Sequence, residues 1–263
     1  MRQASATGAR GDKVKVLNLG WGVQSWTLAA MVALGELEPI DAAIHADTTH
    51  ERESTYRFAE KYTPWLEARG VRVVTVRDAE QAATVTTLNT DIPAFTVGQS
   101  ETGGMLRRQC TGRWKIQPIR RWLQANRNGE KIEQWLGISL DEAERMKPSD
   151  VKYITHRWPL IEKRMSRNAC IAWLSRHDLD IPNKSACVFC PFHNRSAWWE
   201  MKSEGGADWK KAVYVDEAIR KARPPFDLFV HSSRTPLTDI KSPQDSGQME
   251  LWEQNECEGV CFV

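Results

Sequence analysis

The stretch from Val14 to Leu28 constrains this chain most. Val14, Val16, Leu17 and Leu19 read as a short buried strand, Gly20 and Gly22 as a tight turn, and Ser25 onward as the first turn of an apolar helix. Glycines at such a turn let the backbone approach a ligand closely. The helix N-terminus adds free N–H groups and a partial positive charge, so the loop suits a phosphate, with Gly20, Gly22, Gln24 and Ser25 as its contacts. The loop matches neither GxGxxG nor GxxxxGK[ST], so an ordinary turn between strand and helix stays open beside the phosphate reading.

The 263 residues suffice for one large α/β domain, or a main domain with a smaller appendage. Residues 40–46 read as a second strand ending at Asp47, where open α/β sheets place ligand contacts, although a carboxylate there also serves as a helix cap. Residues 51–69 are amphipathic and 71–76 form a third strand. This alternation predicts a doubly wound, mostly parallel sheet. From Asp78 to Arg108 the pattern weakens into a lid-like or binding segment. A fourth strand covers 132–138 and brings Gly137 to its carboxyl end as a further ligand contact. A short helix over 141–146 and a fifth strand over 151–155 follow. Ser166 caps a helix running to His177, which places Cys170 in the core. Beyond Pro191 come two helical stretches, 197–203 and 207–222, then a candidate strand over 226–230 and a polar tail.

The formal charge of +2 arises from 36 basic and 34 acidic residues, which gives no global electrostatic case for nucleic-acid binding. The first dozen residues lack the apolar core of a secretion signal, and no apolar run reaches membrane-spanning length. A soluble, cytoplasmic protein is expected. Six cysteines in such a setting argue for a metal, a cluster or redox chemistry rather than disulfides. Cys187 and Cys190 have the C-x-x-C spacing that lets two thiolates grip one metal or one cluster edge. A redox dithiol, or two small buried residues, would share that spacing. Cys110 is a third ligand if the fold brings it near, and Cys257, Cys261 or neither completes the set. Spacing alone fits zinc as well as iron–sulfur. After Cys110, the side chains of Lys115, Arg120 and Arg121 suit the clamping of phosphate or sulfate oxygens. They equally suit the solvated side of a helix whose Ile116, Ile119 and Leu123 face the core.

Several segments together resemble the phosphoadenosine phosphosulfate (PAPS) reductase family of the adenine nucleotide α-hydrolase-like superfamily. Gly20-Trp-Gly22-Val-Gln24-Ser25 is similar to the Ser-Phe-Gly-Ile/Ala-Gln loop of the reductases, and differs from the Ser-Gly-Gly-Lys-Asp-Ser loop of ATP-cleaving relatives. Asp47-Thr48 and Glu53-Ser-Thr55-Tyr56 resemble the Asp-Thr-Gly and Glu-Thr-Tyr pieces. Residues 110–121 resemble Cys-Cys-x-x-Arg-Lys-x-x-Pro-Leu-x-Arg, with Thr111 in place of the second cysteine. Trp158-Pro159-Leu160 resembles the family's approach to its next helix. Cys187 and Cys190 match the cluster-bearing branch, and Glu256-Cys257 the C-terminal nucleophile segment, although Glu258 intervenes before Gly259 and the following histidine is absent.

The resemblance implies a Rossmann-like α/β fold of the α-hydrolase type. Residues 1–13 would form a disordered tail, 14–192 the adenine-nucleotide-binding domain, and 193–263 a helical extension with a cysteine-containing tail. It implies an adenine sulfonucleotide as substrate and Cys257 as the nucleophile. An iron–sulfur cluster of the 4Fe-4S type would sit on Cys110, Cys187 and Cys190, and a thioredoxin-like dithiol would act as reductant. A second implied activity is ATP-dependent thiolation of nucleic acid at a three-cysteine cluster. A third is nucleotide binding without turnover.

Overall fold

The computed structural model describes residues 13–78, 91–98 and 103–242. The glycine-loop stretch forms strand β1 (Val14–Asn18) and helix α1 (Val23–Ala33). Strand β2 (Ala42–Ala46), helix α2 (Glu53–Glu67) and strand β3 (Val73–Val76) follow as the alternation predicts. A six-residue π-helical segment, Thr111–Ile116, runs directly into α3 (Gln117–Asn126). Strands β6 (Ile132–Trp135) and β7 (Ile154–Arg157), counted after the two short strands given below, complete a five-stranded parallel sheet in the order β3-β2-β1-β6-β7.

Strand alternation divides the core between two faces. Leu17, Leu19, Ala43 and Trp135 face α1 and a helix α5 (Arg167–Arg176), which follows the single-turn α4 (Pro159–Glu162). Cys170 lies in that cluster, fully buried. Val16, Ala42, Ile44 and Ile132 face α3 through Ile119 and Leu123. Helices on both faces make the sheet doubly wound, as expected.

Two strands are displaced from their sequence readings. Strand β6 stops at Trp135 because Ile138 N–H turns back to the Leu136 carbonyl at 2.9 Å. Strand β7 begins at Ile154 because Ser149 Oγ accepts Val151 N–H and the Val151 carbonyl accepts Ile154 N–H, closing a turn where the strand was expected to start.

A second, antiparallel sheet joins β4 (Phe95–Val97) to β5 (Gly104–Met105) and to β8 (Asp227–Phe229). The lid-like segment thus carries two short strands and is tied to β8, far along the chain. Behind this sheet, Ile92, Trp114, Phe189, Trp198 and Leu228 form one apolar cluster with α6 (Arg195–Glu204) and α7 (Ala207–Ile219). Asp216 of α7, 1% exposed, accepts Val230 N–H at 2.9 Å and Leu237 N–H at 3.2 Å. Asp208 accepts the N–H of Glu53 at the start of α2, and Lys211 donates to the Thr49 carbonyl at 2.7 Å, so α7 clamps the segment after β2. Among the described residues no helix is long and apolar enough to cross a membrane.

Candidate functional site

Strand order reverses between β1 and β6, the position at which an open α/β sheet leaves a crevice at its carboxyl edge. The glycine loop leaves β1 there. Ser25 Oγ accepts Gly20 N–H at 3.1 Å and donates to the Gly22 carbonyl at 3.3 Å, so the hydroxyl braces the loop from inside. Trp21 holds a left-handed φ of 57°, costly for a bulky residue, and is kept there by packing on Trp26 and Phe58. Gly22 caps α1 without a side-chain hydrogen bond, and the first turn carries no acid, so the helix N-terminus is compatible with an anion.

Gly137, just past the end of β6, supports the same loop. A Cβ at this position would stand 2.9 Å from Ser25 N and 3.1 Å from its Cα, both backbone atoms that cannot swing away. Gly137→Ala is expected to cost about 1–3 kcal/mol in a denaturant titration by displacing the start of α1. Unchanged stability would show that the loop yields freely.

The turn after Gly137 carries a polar cluster that sequence reading passed over. Gln24 Nε2 lies 3.4 Å from both Ser139 Oγ and Glu142 Oε2, while Arg167 donates to Gln24 Oε1 at 3.2 Å. Arg145 donates to Glu142 at 2.5 Å, and Arg167 N–H donates to Asp141 at 3.0 Å. One carboxylate, Glu142, and one guanidinium, Arg167, therefore meet the amide of the glycine loop, with Arg145 and Asp141 bonded behind them. The available signal was Ser139, Asp141 and Glu142 following a glycine at the carboxyl end of a strand.

At the end of β2, Asp47 is 2% exposed and accepts Thr49 N–H at 2.7 Å, Tyr56 OH at 2.9 Å and Arg77 Nε at 2.7 Å. Burial alone would raise its pKa, but these donors hold it below the usual carboxylate range. The carboxylate organises the turn in which Thr49 adopts a left-handed φ of 58°.

The cysteines from three separate positions converge. Cys110, Cys187 and Cys190 line one pocket together with Thr48, Trp114 and Lys115. The π-helical segment that follows Cys110 presents both Trp114 and Lys115 to this pocket, and such segments recur at functional sites. A buried carboxylate ties the walls together. Glu51 accepts Lys115 Nζ and Thr48 Oγ1 through one oxygen and Ser185 Oγ through the other, each at 3.2 Å. Thr48 Oγ1 lies 3.3 Å from Cys187 Sγ, and Val188 N–H bonds the His50 carbonyl at 2.8 Å. Burial pushes the Cys187 thiol far up, Glu51 adds to the shift, and Lys115 opposes it.

Three thiols make a soft donor set suited to iron–sulfur or zinc. Among the described residues, no three His, Cys, Asp or Glu side chains stand close enough to hold a single metal ion. The other sequence-derived cations lie elsewhere: on the surface of α3, Arg120 pairs with Asp150, and Arg121 pairs with Asp78 at 2.6 Å. Cys257 and Cys261 lie outside the described residues.

No family model matches the chain, and no curated protein matches it. Among solved structures it is similar to the phosphoadenylyl-sulfate (PAPS) reductase of Candida auris in its phosphate complex. That likeness has 13% identity and a TM-score of 0.46 over 65% of this chain and 76% of the other. It is also similar to the U34-tRNA thiolase NcsA of Methanococcus maripaludis with its [4Fe-4S] cluster. Here identity is 14% and the TM-score 0.42, over 80% of this chain and 73% of the other.

Proposed function

We propose that this chain binds an adenine nucleotide over the carboxyl ends of β1 and β6 and performs thiol-dependent sulfur chemistry on it, reducing a sulfonucleotide to sulfite. The observation that carries this reading is the convergence of Cys110, Cys187 and Cys190 on one pocket with Lys115. Gly20, Gly22, Gln24, Ser25 and Gly137 would frame the nucleotide, with Asp47 shaping the neighbouring turn. Lys115, paired with Glu51 at 3.2 Å, would be the cation beside the thiols for the anionic end. Arg120 and Arg121 would join it only by leaving Asp150 and Asp78. Cys110, Cys187 and Cys190 would hold an iron–sulfur cluster, which when bound supplies iron sites able to polarise an anionic substrate.

Cys257 is the proposed nucleophile. Its thiolate attacks the sulfur, the bond from sulfur to the phosphate oxygen breaks, and the adenosine phosphate leaves with the bonding electrons. S-sulfocysteine remains on the enzyme. A thioredoxin-like dithiol then attacks the Cys257 sulfur and expels sulfite. Its second thiol resolves the mixed disulfide, returning Cys257 as a thiolate and leaving the reductant oxidised.

A second reading, ATP-dependent thiolation of nucleic acid, is favoured by one feature. Glu142 sets a carboxylate against Gln24 of the glycine loop, where a magnesium ion bound to phosphates would need one. Mass spectrometry after mixing with PAPS separates the two readings. A sulfonate adduct on Cys257, absent in Cys257→Ser, is the expected result. An adduct on no cysteine, with ATP consumed only when nucleic acid is present, would overturn it in favour of thiolation.

A further inference from the structure

On the sheet face covered by α3, a separate groove opens between that helix and the loop from Lys147 to Asp150. Apolar side chains cover the rest of this face, but the groove is floored by Asn18 at the end of β1 and Gln134 in β6. Both are more than nine-tenths buried, at 5% and 7% exposure. Gln134 Nε2 donates to Asn18 Oδ1 at 2.8 Å. Asn18 Nδ2 remains as a donor and Gln134 Oε1 as an acceptor, and neither is among the sealed, unsatisfied atoms of the described residues. They therefore reach the groove that their residues line. Backbone pairing of β1 with β6 fixes the two amides relative to each other.

A fixed donor beside a fixed acceptor complements one planar, amide-like edge. Nucleobases present such edges, and Asn and Gln read adenine in this way. The walls add to the match. His156 Nδ1 donates to the Lys147 carbonyl at 2.8 Å, which leaves Nε2 as an acceptor when the ring is neutral. Lys147 is exposed at the lip and makes no ion pair among the described residues, while Arg120 and Asp150 reach across the mouth. An ammonium at the rim suits the phosphate that a nucleotide carries on its ribose, which a simple carboxamide ligand lacks.

We propose that this groove is a second binding site, which takes the base and phosphate of a nucleotide unit and is separate from the site at the glycine loop. Asn18 precedes Gly20 by two residues, and α3 and α1 cover opposite faces of the sheet, so the two ligands would lie at the same end of β1 on opposite faces.

Calorimetric titration of AMP, CMP, GMP and UMP into the full chain, with and without saturating AMP-PNP, tests the proposal. At least one monophosphate should bind the saturated protein. Asn18→Leu with Gln134→Met should weaken that binding by about tenfold or more, since a paired polar contact to a base edge is lost. AMP-PNP affinity should stay within about twofold. Replacing both partners of the amide pair by apolar groups of similar shape is compatible with folding. Should the double variant unfold, Lys147→Ala is read instead, with weaker monophosphate binding and a shallower salt dependence expected. Absence of monophosphate binding in both conditions, or binding unchanged in these variants, overturns the second site. Failure of both AMP-PNP and PAPS to bind overturns the glycine-loop reading alone, because the monophosphate titration without them still reports on the groove.

Discussion

Replacing Lys115 by methionine is expected to destabilise the protein by about 3–5 kcal/mol, because Glu51 would be left as an uncompensated buried charge. The pair is almost sealed, with side-chain exposures of 7% for Lys115 and 1% for Glu51. Burial by itself would drive the Glu51 carboxyl up, yet Lys115, His45 and the Thr48 hydroxyl hold it below its ordinary value. Glu51 is therefore ionised in the folded protein and depends on the ammonium. A second substitution should recover much of the loss: Lys115→Met with Glu51→Gln removes both charges and keeps hydrogen-bonding capacity toward Thr48 and Ser185. Urea titration of the three proteins checks the order. A Lys115→Met protein as stable as the parent would mean that Glu51 takes up a proton or reaches solvent, and that the carboxylate is not the tie between the pocket walls.

The larger effect on composition is expected from the thiols. Anaerobically purified protein should carry iron, sulfide and a visible chromophore, and Cys187→Ser should lose nearly all of it. Cys110→Ser and Cys190→Ser should behave alike. Cys170→Ser is the internal control: this thiol is fully buried in the core beside α1, pushed up to about 11 by burial and remote from the pocket, so the chromophore should survive its loss. Zinc in place of iron, or a chromophore retained in Cys187→Ser, would remove the cluster from the proposal.

The central sheet was legible because its signals are local. Alternating apolar residues, the glycines at positions 20 and 22, and an amphipathic helix after Asp47 each act within a few residues. The C-x-x-C pair and Cys110 were equally visible, although only the fold places them on one pocket. What escaped reading depends on separation along the chain. Gln24 meets Ser139, Glu142 and Arg167 across more than 100 residues, and no periodicity announces such a meeting. The pairing of β4 with β8 is of the same kind. Lys115 and its neighbours show a different limit. Ile119 and Leu123 fix which side of α3 enters the core, and this sends Arg120 and Arg121 to surface acids. The π-helical turn before α3 brings Lys115 inward instead, and an extra residue in a helical turn leaves no mark in the residue pattern.

The antiparallel strip of β5, β4 and β8 also sets a timetable. Cys110 is synthesised long before Cys187 and Cys190, and the cluster formed by Ile92, Trp114, Phe189 and Trp198 is not closed until Leu228 arrives. On a ribosome that delivers the chain from its N-terminus, the first thiol must wait for more than seventy further residues before Cys187 and Cys190 join it on the pocket wall. The parallel sheet can assemble as soon as β7 has emerged. The thiol-lined chamber is therefore completed only after the parallel sheet, and whatever fills it meets a chain whose central sheet can already be in place.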